Sequence, residues 1–484
     1  MSKLLKSRRA GVILHLTSLP GPQACGSLGQ DAYRWLDWLH TSGFRVWQFL
    51  PLTPVADGSP YNSYSAFAGN PRLIDIAAMK ELGFPDRPEL RPDATDYVLQ
   101  ALQHQFDWFE EKGPKVLKQQ LEAFADSQSW LEDYCLFAAL KEIYPCHWVD
   151  WPKPLRDRDE NAIAEFSRQY STRIDFQRFV QFIFFTQLQA VKRYANSRDI
   201  VLFGDMPIFV SHDSVDVWSH RHLFKLDAQG HPQVVAGVPP DYFSASGQRW
   251  GNPLYDWNRH SAEHFTWWQS RINHSLSIYD AIRIDHFRGF VACWEIPSHE
   301  PTAINGHWVE APGVELFNAL LQSRNDLPLI AEDLGIITEE VIALRKRFKL
   351  PGMKILQFAF DSDALNPYLP HNHSKDSIIY TGTHDNNTSL GWFQGLNAEQ
   401  KKRVLNYYSW PGEPMPWPLI KSALASVGSW AIMPMQDLLI QGAEHRMNTP
   451  GTTEGNWRWR FEWHQVQENL APYLNSLNRM YRRC

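Results

Sequence analysis

AIRIDHFRG, residues 281–289, is a short β-branched run that stops at a carboxylate, Asp285. The same pattern recurs in two later stretches, LPLIAEDLG (327–335) with Glu332 and SIIYTGTHDN (377–386) with Asp385. Each acid therefore lies near the C-terminal end of a predicted strand. Active sites of α/β barrels are built at that end of the strands. The pattern predicts carboxylate catalysis on a barrel.

The rest of the chain supplies enough strands for a complete barrel. Eight short β-like runs are closed by polar, Gly or Pro residues, and helical patterns separate most of them. Strands that alternate with helices pair in parallel, so the prediction is an α/β fold of the (β/α)8 TIM-barrel type. The eight runs are 11–20, 45–54, 199–210, 281–289, 327–335, 352–360, 377–385 and 429–439.

The regular alternation breaks twice, and both breaks predict insertions into a single elaborated barrel domain that spans 1–484. Residues 84–170 are rich in Leu, Gln, Glu and aromatics at helical spacing, which predicts a helical insertion subdomain. Residues 211–275 are rich in Gly, Pro and aromatics, which is typical of ordered loops. We expect this second, loop-rich insertion to cover the active site.

Composition excludes several classes of protein. The 484 residues are 44% apolar and 21% charged, as in a globular enzyme with a large core, and the net charge of −6 includes no basic tract for nucleic acid. The five cysteines lack disulfide or zinc spacing, which favours free thiols. No apolar run is long enough for a signal peptide or a membrane span, so we expect a cytoplasmic protein without a membrane partner.

The three carboxylates suit the cleavage of a glycosidic bond. That reaction needs an acid on the leaving oxygen and a negative group beneath the anomeric carbon, with the two carboxyls roughly 5 to 5.5 Å apart in the retaining version. Arg283 lies two residues before Asp285, so both side chains should share one face of the strand and meet in the barrel mouth. The guanidinium would favour ionised Asp285, whereas Glu332 needs a setting less favourable to its anion.

Simpler interpretations exist for each residue taken alone. Asp285 with Arg283 also fits a structural ion pair, Glu332 a polar strand terminus, and His384 beside Asp385 a satisfied hydrogen-bonding pair. His371 and His373 lack the carboxylate spacing of a metal site, so we expect ordinary loop histidines, no required metal and no cofactor.

Aromatic residues are abundant, with 21 Trp, 17 Tyr and 27 Phe, and most of them should pack in the core. An aromatic face also packs against the apolar face of a glucose ring. Four aromatic residues in Gly/Pro-rich loops are equally compatible with sugar platforms and with loop packing: Tyr61, Tyr242, Phe243 and Trp250.

Long motifs add a family resemblance over nearly the whole chain. The chain resembles the 4-α-glucanotransferases of the amylomaltase or disproportionating-enzyme family, glycoside hydrolase family 77. The motifs that carry it are GVILHLTSLP (11–20), SPYNSYSAFAGNP (59–71), GDMPIFV (204–210), PPDYFSASGQRWGNPLY (239–255), RIDHFRG (283–289), AEDLG (331–335), GTHDNNT (382–388) and MNTPGTTEGNWRWR (447–460).

The resemblance implies a role for each matched position. Asp285 is implied as the nucleophile, Glu332 rather than Asp333 as the acid/base, and Asp385 as the transition-state stabiliser. Sugar contacts at the cleavage point are implied for Tyr61, Asp205, Arg283 and His384, and positions on the covering loop for Asp241, Gln248 and Trp250.

The resemblance also implies the reaction: transfer, with retention, of an α-1,4-glucan segment from a malto-oligosaccharide or a starch- or glycogen-type donor to the 4-hydroxyl of glucose or another glucan. It further implies the absence of a C-terminal β domain, and about 45 residues follow the last predicted strand. Two alternatives stay open: a retaining hydrolase with the same three carboxylates, and a non-catalytic glucan-binding barrel. The sequence does not determine the oligomeric state.

Overall fold

A computed structural model of the protein describes residues 1–86, 91, 92, 94, 96–240 and 244–484. Within these residues, twelve strands form the sheets. Asp241, Tyr242 and Phe243 lie outside the described residues. The strands are β1 (Arg9–Ile13), β2 (Val46–Gln48), β3 (Val201–Pro207), β4 (Val234–Val238), β5 (Gln248–Pro253), β6 (Ala281–Asp285), β7 (Ala292–Pro297), β8 (His307–Glu310), β9 (Leu329–Ala331), β10 (Gly352–Ile355), β11 (Ser377–Tyr380) and β12 (Trp430–Pro434).

Eight of these strands form a parallel barrel. Their order is β10-β11-β12-β1-β2-β3-β6-β9, and the ends of this series meet where the N–H of Ala331 donates to the carbonyl of Pro351 at 2.9 Å. Every one of the eight predicted runs contains a barrel strand or most of one. The predicted (β/α)8 fold is confirmed.

The barrel interior is a packed core. Phe203 on β3 contacts Trp430 on β12 edge to face, with ring centroids 5.4 Å apart, although two strands separate β3 from β12 in the sheet. The hydroxyl of Tyr380 on β11 likewise donates to Gln48 on β2 at 2.9 Å. Such contacts cross the interior and leave the C-terminal strand ends as the place for a site.

Helices surround the barrel and fill the segment between β2 and β3. Among the residues described, no helix combines the length and the apolar character needed to cross a bilayer. The helices are α1 (Lys3–Lys6), α2 (Gln30–Thr41), α3 (Tyr97–Lys112), α4 (Lys115–Ser127), α5 (Leu131–Ile143), α6 (Lys153–Arg156), α7 (Glu160–Gln169), α8 (Ser171–Ser197), α9 (Val215–Ser219), α10 (Trp257–Ala262), α11 (Thr266–Ile278), α12 (Gly313–Ser323), α13 (Glu339–Arg347), α14 (Ser389–Gly395), α15 (Ala398–Tyr407), α16 (Trp417–Ala425), α17 (Met435–Leu438) and α18 (Leu470–Met480).

The segment predicted as loop-rich, 211–275, holds more regular structure than its composition indicated. Its strands β4 and β5 join β7 and β8 in a second, antiparallel sheet of order β5-β4-β7-β8. Gly251, Asn252 and Pro253 lower the strand propensity of β5, whereas β4 is rich in Val. One partner of β4 in the sheet, β7, lies beyond β6 in the chain, so local sequence did not reveal this sheet. Helices α3 to α7 lie in the predicted helical insertion, 84–170, and the division into subdomains stays a prediction.

Candidate active site

The three carboxylates singled out in the sequence lie at the C-terminal ends of barrel strands. Asp285 is the last residue of β6, Glu332 follows β9 directly, and Asp385 lies in the loop after β11. Glu332 is 9% exposed, whereas the side chains of Asp285 and Asp385 are 32% and 45% exposed. A buried acid therefore lies on the same rim as two accessible ones.

Arg283 joins two carboxylates inside the rim. It pairs with Asp205 across β3 and β6, and its Nη1 donates to both carboxylate oxygens of Asp205 at 2.7 Å. Its Nη2 donates to Oδ1 of Asp285 at 2.6 Å, so the predicted meeting of Arg283 and Asp285 is confirmed. Because the guanidinium is 5% exposed, its positive charge acts on Asp285 with little solvent screening.

Tyr61 and His384 continue this network toward Asp385. The hydroxyl of Tyr61 donates to Oδ2 of Asp205 at 2.7 Å, so its oxygen accepts from Nε2 of His384 at 2.8 Å. The same Nε2 lies 3.2 Å from Oδ2 of Asp385. A carboxylate only accepts, and the single proton of Tyr61 is already donated; His384 must therefore carry a hydrogen on Nε2.

The charge of Asp385 is held by its neighbours. Burial by itself raises the pKa of Asp385, but the imidazole of His384 and the side-chain amide of Asn448, which donates to Oδ1 at 2.6 Å, together hold that pKa well below its usual range. The pKa of His384 is raised, because the attraction of Asp385 outweighs the effect of burial. Asp385 is therefore an ionised group that faces solvent.

Glu332 has the opposite electrostatic setting. Burial, followed by the negative charge of Asp285, raises the pKa of Glu332 to about 7, against the backbone N–H groups of His286 and Leu334 that donate to its two oxygens at 2.8 and 2.9 Å. A carboxyl with this pKa is partly protonated at neutral pH. It can therefore both give and take a proton there.

Asp333, the neighbour of Glu332, binds groups on β10 and α13 instead of lying in the site. It accepts the N–H of Met353 on β10 at 2.7 Å and lies 3.2 Å from Nε of Arg345 on α13. Successive residues at a strand end point to opposite faces, and Asp333 points away from the barrel mouth. The geometry therefore separates two acids that the residue pattern alone left equivalent.

A cavity of about 480 Å³ is lined by Asp285 and by Trp250 of β5. Trp250 is 38% exposed, its Nε1 donates to Oε1 of Gln248 at 3.1 Å, and its ring meets that of His286 edge to face at 4.8 Å. Tyr61 lines the same cavity. An exposed indole in a cavity that a carboxylate also lines offers an apolar face beside a polar group, as small-molecule sites commonly do.

Several residues of the site were not predicted. His286 directs its backbone N–H to Glu332 from a left-handed conformation, φ 52°, which non-glycine residues adopt rarely. Asn448 binds Asp385, and Trp457 packs near Tyr61 and His384, with centroids 5.8 and 6.0 Å away. The motif at 447–460 contains both Asn448 and Trp457, but nothing local places it beside β11.

His371 and His373 are engaged in hydrogen bonds with the protein. His371 contacts the hydroxyl of Tyr407 at 2.9 Å, and His373 contacts Oγ of Ser426 at 2.8 Å. Within the described part of the chain, no group of three or more His, Cys, Asp or Glu side chains has the arrangement of a metal site.

Comparisons with known proteins agree on one family. The model of glycoside hydrolase family 77, described as 4-alpha-glucanotransferase, matches residues 14–466. The chain is 46% identical to the 4-alpha-glucanotransferase of Thermus thermophilus, over 94% of each chain. It is 44% identical to that of Synechocystis sp., over 99% of each chain.

A solved structure agrees with these relatives. The amylomaltase from Streptococcus agalactiae in complex with acarbose superposes with a TM-score of 0.95 at 38% identity, covering 99% of this chain and 100% of that one.

Proposed function

The chain belongs to glycoside hydrolase family 77, the 4-alpha-glucanotransferases, and from this we propose how its residues transfer a glucan segment. We assign Asp285 as the nucleophile, Glu332 as the acid/base and Asp385 as the transition-state stabiliser. The observation that carries the assignment is the division of electrostatic settings: a guanidinium binds Asp285, while burial leaves Glu332 partly protonated.

In the first step, protonated Glu332 gives its proton to the glycosidic oxygen of an α-1,4-glucan while an oxygen of Asp285 attacks the anomeric carbon. The carbon–oxygen bond to the leaving chain breaks, and a covalent glycosyl ester forms on Asp285. Arg283 holds Oδ1 of Asp285, and among the described contacts no protein donor binds Oδ2. Oδ2 is therefore the oxygen best placed to attack.

In the second step, ionised Glu332 takes the proton of an acceptor 4-hydroxyl, and that oxygen displaces Asp285 from the anomeric carbon. Two displacements on opposite faces retain the configuration. The donor in this proposal is a malto-oligosaccharide or a starch- or glycogen-type glucan, and the acceptor is glucose or another glucan. The bound acarbose of the Streptococcus agalactiae amylomaltase, which matches this chain over its full length, supports a sugar-chain ligand here.

The remaining polar groups bind the sugar at the cleavage point. Ionised Asp385 accepts hydroxyl protons and stabilises the positive charge that develops at the anomeric carbon. The other four contacts come from the buried network of Tyr61, Asp205, Arg283 and His384, whose side chains are already linked by hydrogen bonds. Such a preorganised network requires little rearrangement when the transition state forms.

Activity should decline above neutral pH because the first step needs protonated Glu332. With a pKa raised to about 7, this carboxyl loses its proton across the neutral range, so kcat/KM for a maltodextrin donor should fall about tenfold per pH unit once pH exceeds that value. A pH series with maltotriose measures the alkaline limb. A limb centred near the ordinary pKa of Glu, about 4.3, would contradict the assignment.

Trp250 should limit hydrolysis. Transfer outruns hydrolysis only if the site excludes water while the acceptor binds, and Trp250 lines the same cavity as Asp285. We expect Trp250→Ala to raise the ratio of hydrolysis to transfer roughly tenfold, which the reducing ends and glucose released from maltotriose report. Trp410→Ala is the matched control, since Trp410 is 60% exposed and outside the cavity. An equal change in both variants would contradict this role.

Maltotriose alone distinguishes transfer from the two alternatives. A ladder of longer maltodextrins plus glucose supports the proposal. Glucose and maltose without longer products would support a hydrolase, and binding without turnover would support a non-catalytic barrel. A cytoplasmic location stays a prediction, because relatives from plants are named as chloroplastic or amyloplastic.

A further inference from the structure

A second, much smaller cavity is lined by His384 and not by Tyr61. Its volume is about 20 Å³, and the residues that line it include His15, His384 and Asn387. About 10 to 15 Å³ of such volume holds one water molecule. The cavity therefore has room for about one water molecule.

Three buried polar atoms of these lining residues have no hydrogen-bond partner in the protein: Nδ1 of His15, Nδ1 of His384 and Oδ1 of Asn387. A buried polar atom without a partner is costly, and most such atoms are satisfied by protein or by ordered water. These three atoms belong to residues that line one water-sized space, and a buried water usually makes about three hydrogen bonds.

The donor and acceptor roles of these atoms are compatible with one water. Nε2 of His384 already carries a hydrogen, so the protonated ring carries a second one on Nδ1 and donates it to the water. The water then donates its two protons to Oδ1 of Asn387 and to Nδ1 of a neutral His15. Burial lowers the pKa of His15 to about 3, which keeps its ring neutral.

We propose that His15 and Asn387 hold one water against Nδ1 of His384, and that His15 is thereby a positioning residue for the sugar-binding histidine. The part of the inference that concerns catalysis rests on the proposed sugar contact of His384. The water site itself rests only on the cavity and on the three buried atoms.

The charged and titratable groups around His384 decide how the water acts. Asp385, Tyr61, Asp205 and Arg283 lie on the Nε2 side, and His15 and Arg446 line the cavity on the Nδ1 side. Asp385 favours the His384 cation, and the water gives the second N–H of that cation an acceptor. Loss of the water destabilises the cation and also frees the ring to rotate away from Tyr61.

The test uses three variants of the full chain. His15→Phe keeps the ring volume and removes both nitrogens, and His15→Asn restores a polar atom near the position of Nδ1. His260→Phe is the matched control, because His260 is 1% exposed, also has an unpartnered ring nitrogen and does not line either cavity. The measurements are a high-resolution crystal structure, the NMR titration of His384 in histidine-labelled enzyme, and kcat/KM with maltotriose.

We expect one water within hydrogen-bond distance of all three atoms in the wild type and none in His15→Phe. His384 should bind its proton about tenfold more weakly in His15→Phe, with kcat/KM about five- to tenfold lower. His15→Asn should recover most of both losses, and His260→Phe should show neither.

A dry cavity in the wild type, or a His384 titration in His15→Phe equal to that of His260→Phe, would overturn the inference. If the water and the titration behave as expected but the wild type makes no longer maltodextrins, the proposed function fails and the water site stands.

Discussion

Asp285→Asn should abolish glucan transfer, with kcat/KM for maltotriose lower by a factor on the order of 10⁵. The amide is nearly the same size as the carboxylate but is a far weaker nucleophile, so no glycosyl ester can form. Arg283 keeps both of its hydrogen bonds to Asp205, so the rim should hold its shape. Chromatography of the products over time measures the loss.

Asp437→Asn is the matched control for this substitution. Asp437 also lies just beyond a barrel strand, is 1% exposed, and accepts hydrogen bonds from Thr381 and Ser389 rather than facing the cavity. We expect lower thermal stability in Asp437→Asn but transfer within about tenfold of wild type. Substantial transfer by Asp285→Asn, or an equal loss in both variants, would exclude Asp285 as the nucleophile.

Glu332→Gln should lose activity toward ordinary maltodextrins by a factor on the order of 10³ to 10⁴, because the amide cannot protonate the leaving oxygen. The loss should depend on the leaving group. With α-maltosyl fluoride, whose fluoride departs without a proton, the first step should proceed while the second, which needs a base, remains slow. The glycosyl ester should then accumulate, and mass spectrometry of peptides should locate it on Asp285.

Asp333→Asn separates the acid/base from its neighbour. Asp333 binds Met353 and Arg345, so we expect its substitution to lower the midpoint of thermal unfolding. The ratio of the rates with α-maltosyl fluoride and with maltodextrins should change little. If α-maltosyl fluoride rescues Asp333→Asn rather than Glu332→Gln, or if the ester forms on another residue, the assignment of roles is wrong.

One rim holds carboxylates in different electrostatic settings. Asp285 has a guanidinium hydrogen bond, whereas Glu332 has burial and a nearby negative charge, opposed by two backbone N–H groups. The positive φ of His286 contributes directly, since it turns the N–H after Asp285 toward Glu332. The chain at the end of β6, which carries Asp285, thus also positions Glu332.

Much of the barrel and part of the site could be predicted from local patterns. The eight runs correspond to the eight barrel strands because buried parallel strands are short apolar runs that need no partner to be recognised. The antiparallel strands β4, β5, β7 and β8 were not predicted, since they are short and β4 pairs with β7 from beyond β6 in the chain. The contact of Arg283 with Asp285 was predicted because side chains two residues apart on a strand point to the same face, which the local sequence is enough to show.

The sequence by itself determined that three acids lie at or just beyond the ends of three barrel strands and that Arg283 shares a face with Asp285, because spacing along a strand sets the direction of side chains. Only the tertiary structure decided which groups meet across the barrel. Asp205 binds Arg283 because β3 lies beside β6, and Asn448 binds Asp385 from a loop far along the chain. His15 lines the same cavity as His384 for the same reason: strand order and packing, not sequence distance, bring the buried charges and polar atoms of the site together.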